Sequence, residues 1–201
     1  QLPDPRERLL PPELRHFGGS MSADTVGPCA EGVGGKRYIS TGLDYYTGYH
    51  YAKPIAANTA ADLLQAWERN LVGDIQLQGK CHMRTDNGPE YSEHFENGMR
   101  KLGIKVTKSA PWYPQSNSRI ERLHAEMLGE ARAYLARAGA PPTWFPWAVE
   151  VWDVHTNAAS GATERKTGKR ERRNLVPFGC QAIAKLHARP SDHEFATPGQ
   201  S

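Results

Sequence analysis

"TDNGPEY", Thr85 to Tyr91, follows the strand-like run Lys80-Cys81-His82-Met83-Arg84, and its reading decides the fold. As Asp-Asn-Gly it is turn chemistry, because Asn and Gly adopt positive φ at little cost. As a carboxylate at the end of a strand, Asp86 also stands where a metal site is readily built. The elements on either side decide between punctuation and chemistry.

Upstream, residues 20–27 read as a short strand running into Asp24-Thr25-Val26-Gly27-Pro28, followed by a Gly-rich loop to Gly35. Arg37–Leu43 and Tyr49–Ile55 are β-rich runs, and Asp44-Tyr45-Tyr46-Thr47-Gly48 between them predicts an antiparallel hairpin. A helix follows: Thr59 and Asp62 form a capping-box pattern, Leu63, Leu64, Trp67 and Leu71 share one face, and Gly73 ends it. Downstream, a helix is expected from about Ser92 to Leu102, then a strand over Ile104–Lys108. Ile120, Leu123, Met127, Ala131, Tyr134, Leu135 and Ala138 recur at three- and four-residue steps, which predicts a long helix from Asn117 or Ser118 to Gly139. A further helix is expected over Thr143–Ala158. Hairpin strands followed by alternating strands and helices give an α/β fold, a mixed central sheet with flanking helices.

The chain has 201 residues, enough for one domain with tails. A mean hydropathy of -0.66 and the lack of any run of about eighteen apolar residues exclude a membrane span. Cys29, Cys81 and Cys180 include no Cys-x-x-Cys pair, which argues against a disulfide framework or a zinc knuckle and for a reducing compartment. The net charge is +3, yet residues 163–173, TERKTGKRERR, alone carry +4, so the remainder sums to -1. Residues 1–19, Pro-rich and charged, read as a linker from a longer upstream region, 20–160 as the core, and 161–201 as a basic, largely irregular extension. The basic run is read as a flexible, solvated tail, with any affinity for nucleic-acid phosphates incidental; the other readings are a dedicated salt-dependent phosphate-binding segment or part of a nuclear-import signal.

Three acidic residues stand out by position: Asp24 in the first strand, Asp86 after the fourth, and Glu121 in the first turn of the long helix. Spacing alone does not decide their role, since an acid in a first helical turn also complements the macrodipole. The loop Ala110-Pro111-Trp112-Tyr113-Pro114-Gln115-Ser116-Asn117-Ser118 mixes aromatics, prolines and amides. It reads either as a shaped connector or as a loop that meets a nucleic-acid strand.

"TDNGPEY", "SAPWYPQSN" and "RIERLHAEML", together with "SADTVGP" and "TGLDYYTGYHYAKPI", resemble the core of retroviral and retrotransposon integrases. Copia-type elements are nearest, through Pro142-Thr143-Trp144-Phe145-Pro146-Trp147-Ala148 and Phe178-Gly179-Cys180. The resemblance covers roughly residues 20–160, with a weaker extension to about 186. It implies an RNase H-like fold and a catalytic, metal-holding triad of Asp24, Asp86 and Glu121. Asp86 and Glu121 enclose 34 residues, one fewer than the usual retroviral interval. Asp44 matches a common acidic position of the family but falls at the hairpin and is not a metal ligand.

The implied activity is DDE-type polynucleotidyl transfer: trimming of the element's 3′ ends and strand transfer into target DNA in the nucleus. The implied cofactor is a pair of Mg²⁺ (or Mn²⁺) ions about 3.5–4 Å apart, with Asp24 and Asp86 bracketing one and Asp24 and Glu121 the other. Asn87, Trp112, Gln115, Ser116 and Asn117 align with the family's loop positions near DNA, and Arg119 and Arg122 are further candidates for DNA contact. Ser118 replaces a usual Gly, while Ala125 and Leu128 stand where retroviral enzymes carry DNA-contacting lysines. Double-stranded DNA and a homo-oligomer are the implied partners. Two other readings stay open: an inactive or domesticated fragment that only binds DNA or assembles with other subunits, and another RNase H-like nuclease or a DNA transposase.

Overall fold

The computed structural model describes residues 10–74, 81–109, 118–169 and 175–179. Five strands form one sheet in the order β3-β2-β1-β4-β5: β1 is Met21–Val26, β2 Tyr38–Asp44, β3 His50–Ile55, β4 Cys81–Thr85 and β5 Ile104–Lys108. β1 pairs antiparallel with β2 and parallel with β4, so the sheet changes character at β1. The helices are α1 (Ala60–Asp74), α2 (Glu93–Lys101), α3 (Ser118–Ala138), α4 (Phe145–Ala159) and α5 (Ala162–Thr167). The mixed sheet, its antiparallel hairpin and the flanking helices agree with the expected fold class.

Alternation along the strands divides the core into two layers. Met21, Ala23, Cys81 and Met83 face one way and pack with Leu63 and Trp67 of α1 and Phe95 and Met99 of α2. On the other face Ile39 and Ala52 meet Ile120, Leu123, Met127 and Ala131 of α3 and Val149 and Trp152 of α4. The apolar stripe of α3 is therefore buried as its spacing predicts, and the helix ends where Gly139 takes φ 60°. Thr59 Oγ1 accepts Asp62 N–H at 3.2 Å, which realises the expected cap of α1. Among the described residues, no helix is long and apolar enough to cross a membrane.

Two segments are more ordered than their composition predicts. Gly18, within the stretch read as a linker, donates its N–H to Asp44 Oδ2 (2.9 Å) and accepts His82 N–H (3.3 Å), which ties residues before β1 to both sides of the sheet. The basic extension begins with α5 rather than irregular chain. Arg165 Nε donates to Thr47 O at 2.6 Å, and Lys166 Nζ lies 4.0 Å from the Tyr49 ring centroid, over the hairpin. Farther on, Phe178 stacks on Tyr134 of α3, ring centroids 6.2 Å apart. Cys180 lies outside the described residues.

α4 is fastened to β3 by polar contacts. Asn157 Oδ1 accepts His50 N–H (3.0 Å), its Nδ2 donates to His50 O (2.7 Å), and the Asp153 carboxyl faces the Ala52 N–H, which opposes its upward shift by burial. Asn157→Ala leaves the buried amide and carbonyl of His50 without partners. It is expected to destabilise the fold by about 2–3 kcal/mol, measured by urea unfolding against wild type.

Candidate active site

The site is built where β1 and β4 leave their shared register. The last parallel partners are Ser22 with Arg84, and two residues farther along come Asp24 and Asp86. Period-two alternation turns the Asp24 side chain away from the Met21–Ala23 layer, toward the face that α3 covers, while Asp86 stands in the turn that directly follows β4. α3 carries Glu121 in its first turn. Among the three acids named from the sequence, Asp86 and Glu121 lie within electrostatic reach of Asp24, as does Glu90.

Their electrostatics register in Asp24. Burial pushes its carboxyl up to about 6, the Thr25 N–H bond opposes this, and the charges of Asp86, Glu90 and Glu121 raise it further. Asp24 Oδ1 accepts Thr25 N–H at 2.7 Å, while among the described residues Oδ2 has no hydrogen-bond donor. Asp86 Oδ1 accepts Gly88 N–H at 2.9 Å, a turn that aims the side chain. Gly88 itself takes φ -59°, so positive φ is not why glycine stands there. A Cβ at that position would meet the Glu90 carboxylate at 2.5 Å. Glu90 is a fourth acid that spacing did not single out, and Asn58 Nδ2 holds it at 3.0 Å. Among the described residues, no three His, Cys, Asp or Glu side chains stand in a ready-made metal cluster. The donors are all carboxylate oxygens, which suits a hard cation such as Mg²⁺ rather than a soft one.

Behind Asp24 lies a second layer that sequence reasoning missed. Thr41, its partner across β1 and β2, donates Oγ1–H to Asp24 O (2.9 Å) and contacts His124 Nε2 (2.8 Å). His124 Nδ1 lies 3.9 Å from Asp24 Oδ2, and burial lowers the imidazole to about 4. His124 follows Glu121 by one helical turn in "RIERLH", the only local signal for it. Asp44 is buried, its carboxylate accepting Gly18 N–H, Thr47 N–H and Thr47 Oγ1–H; it organises the hairpin, away from the other acids.

Of the residues expected to meet DNA, Asn87 is exposed and donates Nδ2 to Ser109 O at 3.3 Å. Arg122 is exposed on α3. Arg119 is also exposed but its guanidinium lies over the Tyr45 ring, 5.3 Å from the centroid. Trp112, Gln115, Ser116 and Asn117 lie outside the described residues.

The Asp24 shift fixes a stability prediction. Its folded value of about 6 lies above the ordinary 3.8, so between these pH values the folded chain keeps a proton that the unfolded chain has lost. Stability therefore falls as pH rises through that window. Asp24→Asn removes the penalty. Thermal melts should show no difference from wild type below about pH 4 and a gain on the order of 2 kcal/mol above about pH 6.

The fold is the RNase H-like one found in integrase catalytic cores. It matches the catalytic core domain of BIV integrase at TM-score 0.52, with 23% identity over 69% of this chain and 82% of that one. It matches a chain of the simian T-cell lymphotropic virus intasome, solved with a PP2A regulatory subunit, at TM-score 0.59 and 17% identity over 87% of this chain and 61% of that one. Its sequence relatives are retroviral and retrotransposon Pol polyproteins. The Gag-Pro-Pol polyprotein of squirrel monkey retrovirus is 29% identical over 107 residues, 52% of this chain. The retrovirus-related Pol polyprotein from transposon TNT 1-94 of Nicotiana tabacum is 27% identical over 176 residues, 82% of this chain. The chain spans only 5% and 13% of the lengths of these two relatives. No protein-family model matches it.

Proposed function

We propose that this domain is a metal-dependent DNA integrase core that trims the 3′ ends of a retroelement and joins them to target DNA. The observation that carries this reading is the electrostatic coupling of Asp24 to Asp86, Glu90 and Glu121, whose charges add to burial in raising the Asp24 carboxyl. Three hard-oxygen donors repelling one another in a half-buried corner are an arrangement that divalent cations relieve. Asp24 would offer Oδ2, its Oδ1 being held by Thr25 N–H; Asp86 would offer the oxygen that Gly88 does not engage; Glu121, exposed in the first turn of α3, would complete the set. Mg²⁺ or Mn²⁺ bound there would activate the attacking oxygen and stabilise the leaving one. Exposed Asn87 and Arg122 flank the corner and would meet phosphates, Arg119 only after leaving Tyr45. DNA ends and target, an oligomeric assembly and action in the nucleus follow from this reading.

The test is a strand-transfer and disintegration assay in Mg²⁺ or Mn²⁺, with wild type beside Glu121→Gln. Metal-dependent joining by wild type, lost in the variant, supports the enzyme. DNA binding with no joining by either replaces it with a non-catalytic, DNA-binding fragment. Glu121 is exposed at a helix end, so the variant should melt with wild type.

A further inference from the structure

Asp24 is the acid shared by both halves of the proposed cation site, and its surroundings contain a relay that the triad does not explain. Thr41 is fully buried and faces Asp24 across the strand pair. A threonine hydroxyl carries a single proton. Here it is donated to Asp24 O at 2.9 Å, so the 2.8 Å contact with His124 must be made by a proton on Nε2. That assignment leaves Nδ1, 3.9 Å from Asp24 Oδ2, as the face turned to the carboxylate. Oδ1 is occupied by Thr25 N–H.

We propose that His124 is a positioning residue for Asp24: through Thr41 it fixes the peptide that carries the acid, and its proton-free Nδ1 keeps Oδ2 open toward the other acids. A proton donor in the place of Nδ1 would hold Oδ2 back toward α3. Loss of the Nε2–H would instead free the Thr41 hydroxyl to rotate away from Asp24 O. The inference rests on the cation-site reading above, but not on DNA joining as its outcome.

The chemistry selects the substitutions. Gln places an amide nitrogen as many bonds from Cα as Nε2, so His124→Gln keeps the donor to Thr41. His124→Leu removes it, and Thr41→Val removes the hydroxyl at constant shape. Mn²⁺ binding to the full chain is read by calorimetry, with Asp24→Asn as the reference for a lost site and thermal melts run in parallel. His124→Leu and Thr41→Val should each weaken Mn²⁺ binding roughly tenfold, the range for groups that orient a metal ligand. Their combination should be no weaker than either alone, because both cut one relay. His124→Gln should bind within about twofold of wild type, and strand transfer should follow binding. Wild-type affinity in His124→Leu overturns the proposal, as does a loss in His124→Gln equal to that in His124→Leu. If His124→Leu does not fold, Thr41→Val and His124→Gln carry the same expectations. Mn²⁺ binding that depends on His124 in a chain without strand transfer supports this inference and removes the integrase reading. Strand transfer indifferent to His124 does the reverse, and a wild-type chain that binds no Mn²⁺ removes both.

Discussion

Asp86→Asn is expected to lower metal-dependent strand transfer by about three orders of magnitude or more, a loss of roughly 4 kcal/mol of transition-state stabilisation. The substitution preserves shape. Asn Oδ1 can still accept Gly88 N–H, so the turn that aims the side chain survives. What disappears is one negative charge and one anionic oxygen of the proposed cation site, whose affinity would depend on both. Burial, the main cause of the raised Asp24 carboxyl, is untouched, and loss of the Asp86 charge should lower that carboxyl only in part. Melting temperature should stay within a few degrees of wild type, while activity with Mg²⁺ and Mn²⁺ falls together. Retained joining by Asp86→Asn would remove Asp86 from the reaction and with it the triad.

Trp67→Ala should have the largest effect on stability. Trp67 of α1 is fully buried, edge-on to Tyr51 of β3 at 4.2 Å between centroids, and pressed against Gly42 of β2. Gly42 is required there because a Cβ would meet the Trp67 ring at 2.4 Å. Truncating the indole empties the layer between α1 and two strands, at an expected cost of about 3–5 kcal/mol in denaturant unfolding. Trp67→Phe should cost much less. The indole N–H is buried with no hydrogen-bond partner among the described residues, so its removal relieves a desolvated donor while a ring remains. Equal losses in the two variants would show that the indole's own shape, rather than aromatic volume, holds α1 to the sheet.

The elements were legible because each obeys one period along its length. Ile120, Leu123, Met127 and Ala131 announce α3 through their spacing, and β1 and β4 show which side chains share a face. The resemblance brought Asp24, Asp86 and Glu121 together; the parallel register that seats the two aspartates is a tertiary fact. It pairs residues some sixty positions apart, beyond the reach of any local pattern. Glu90 went unremarked because its role comes from a bond to Asn58 on another segment. Thr41 and His124 are a polar residue in a strand and a histidine on a helix until folding closes the 83-residue gap between them. The docking of Gly18 on Asp44 left no compositional trace either, since charge and proline dominate the stretch before it.

β3 is a terminal strand of the sheet, and its outward edge is covered by α4. Asn157 takes the His50 N–H, the Asp153 carboxyl stands opposite the Ala52 N–H, and Pro54 has none to offer. An unpaired sheet margin is a template on which another chain can add a strand and seed aggregation. Here helix α4 acts as a false neighbour that quenches the template, so copies of this domain that meet cannot extend the sheet through β3 and must associate by other surfaces.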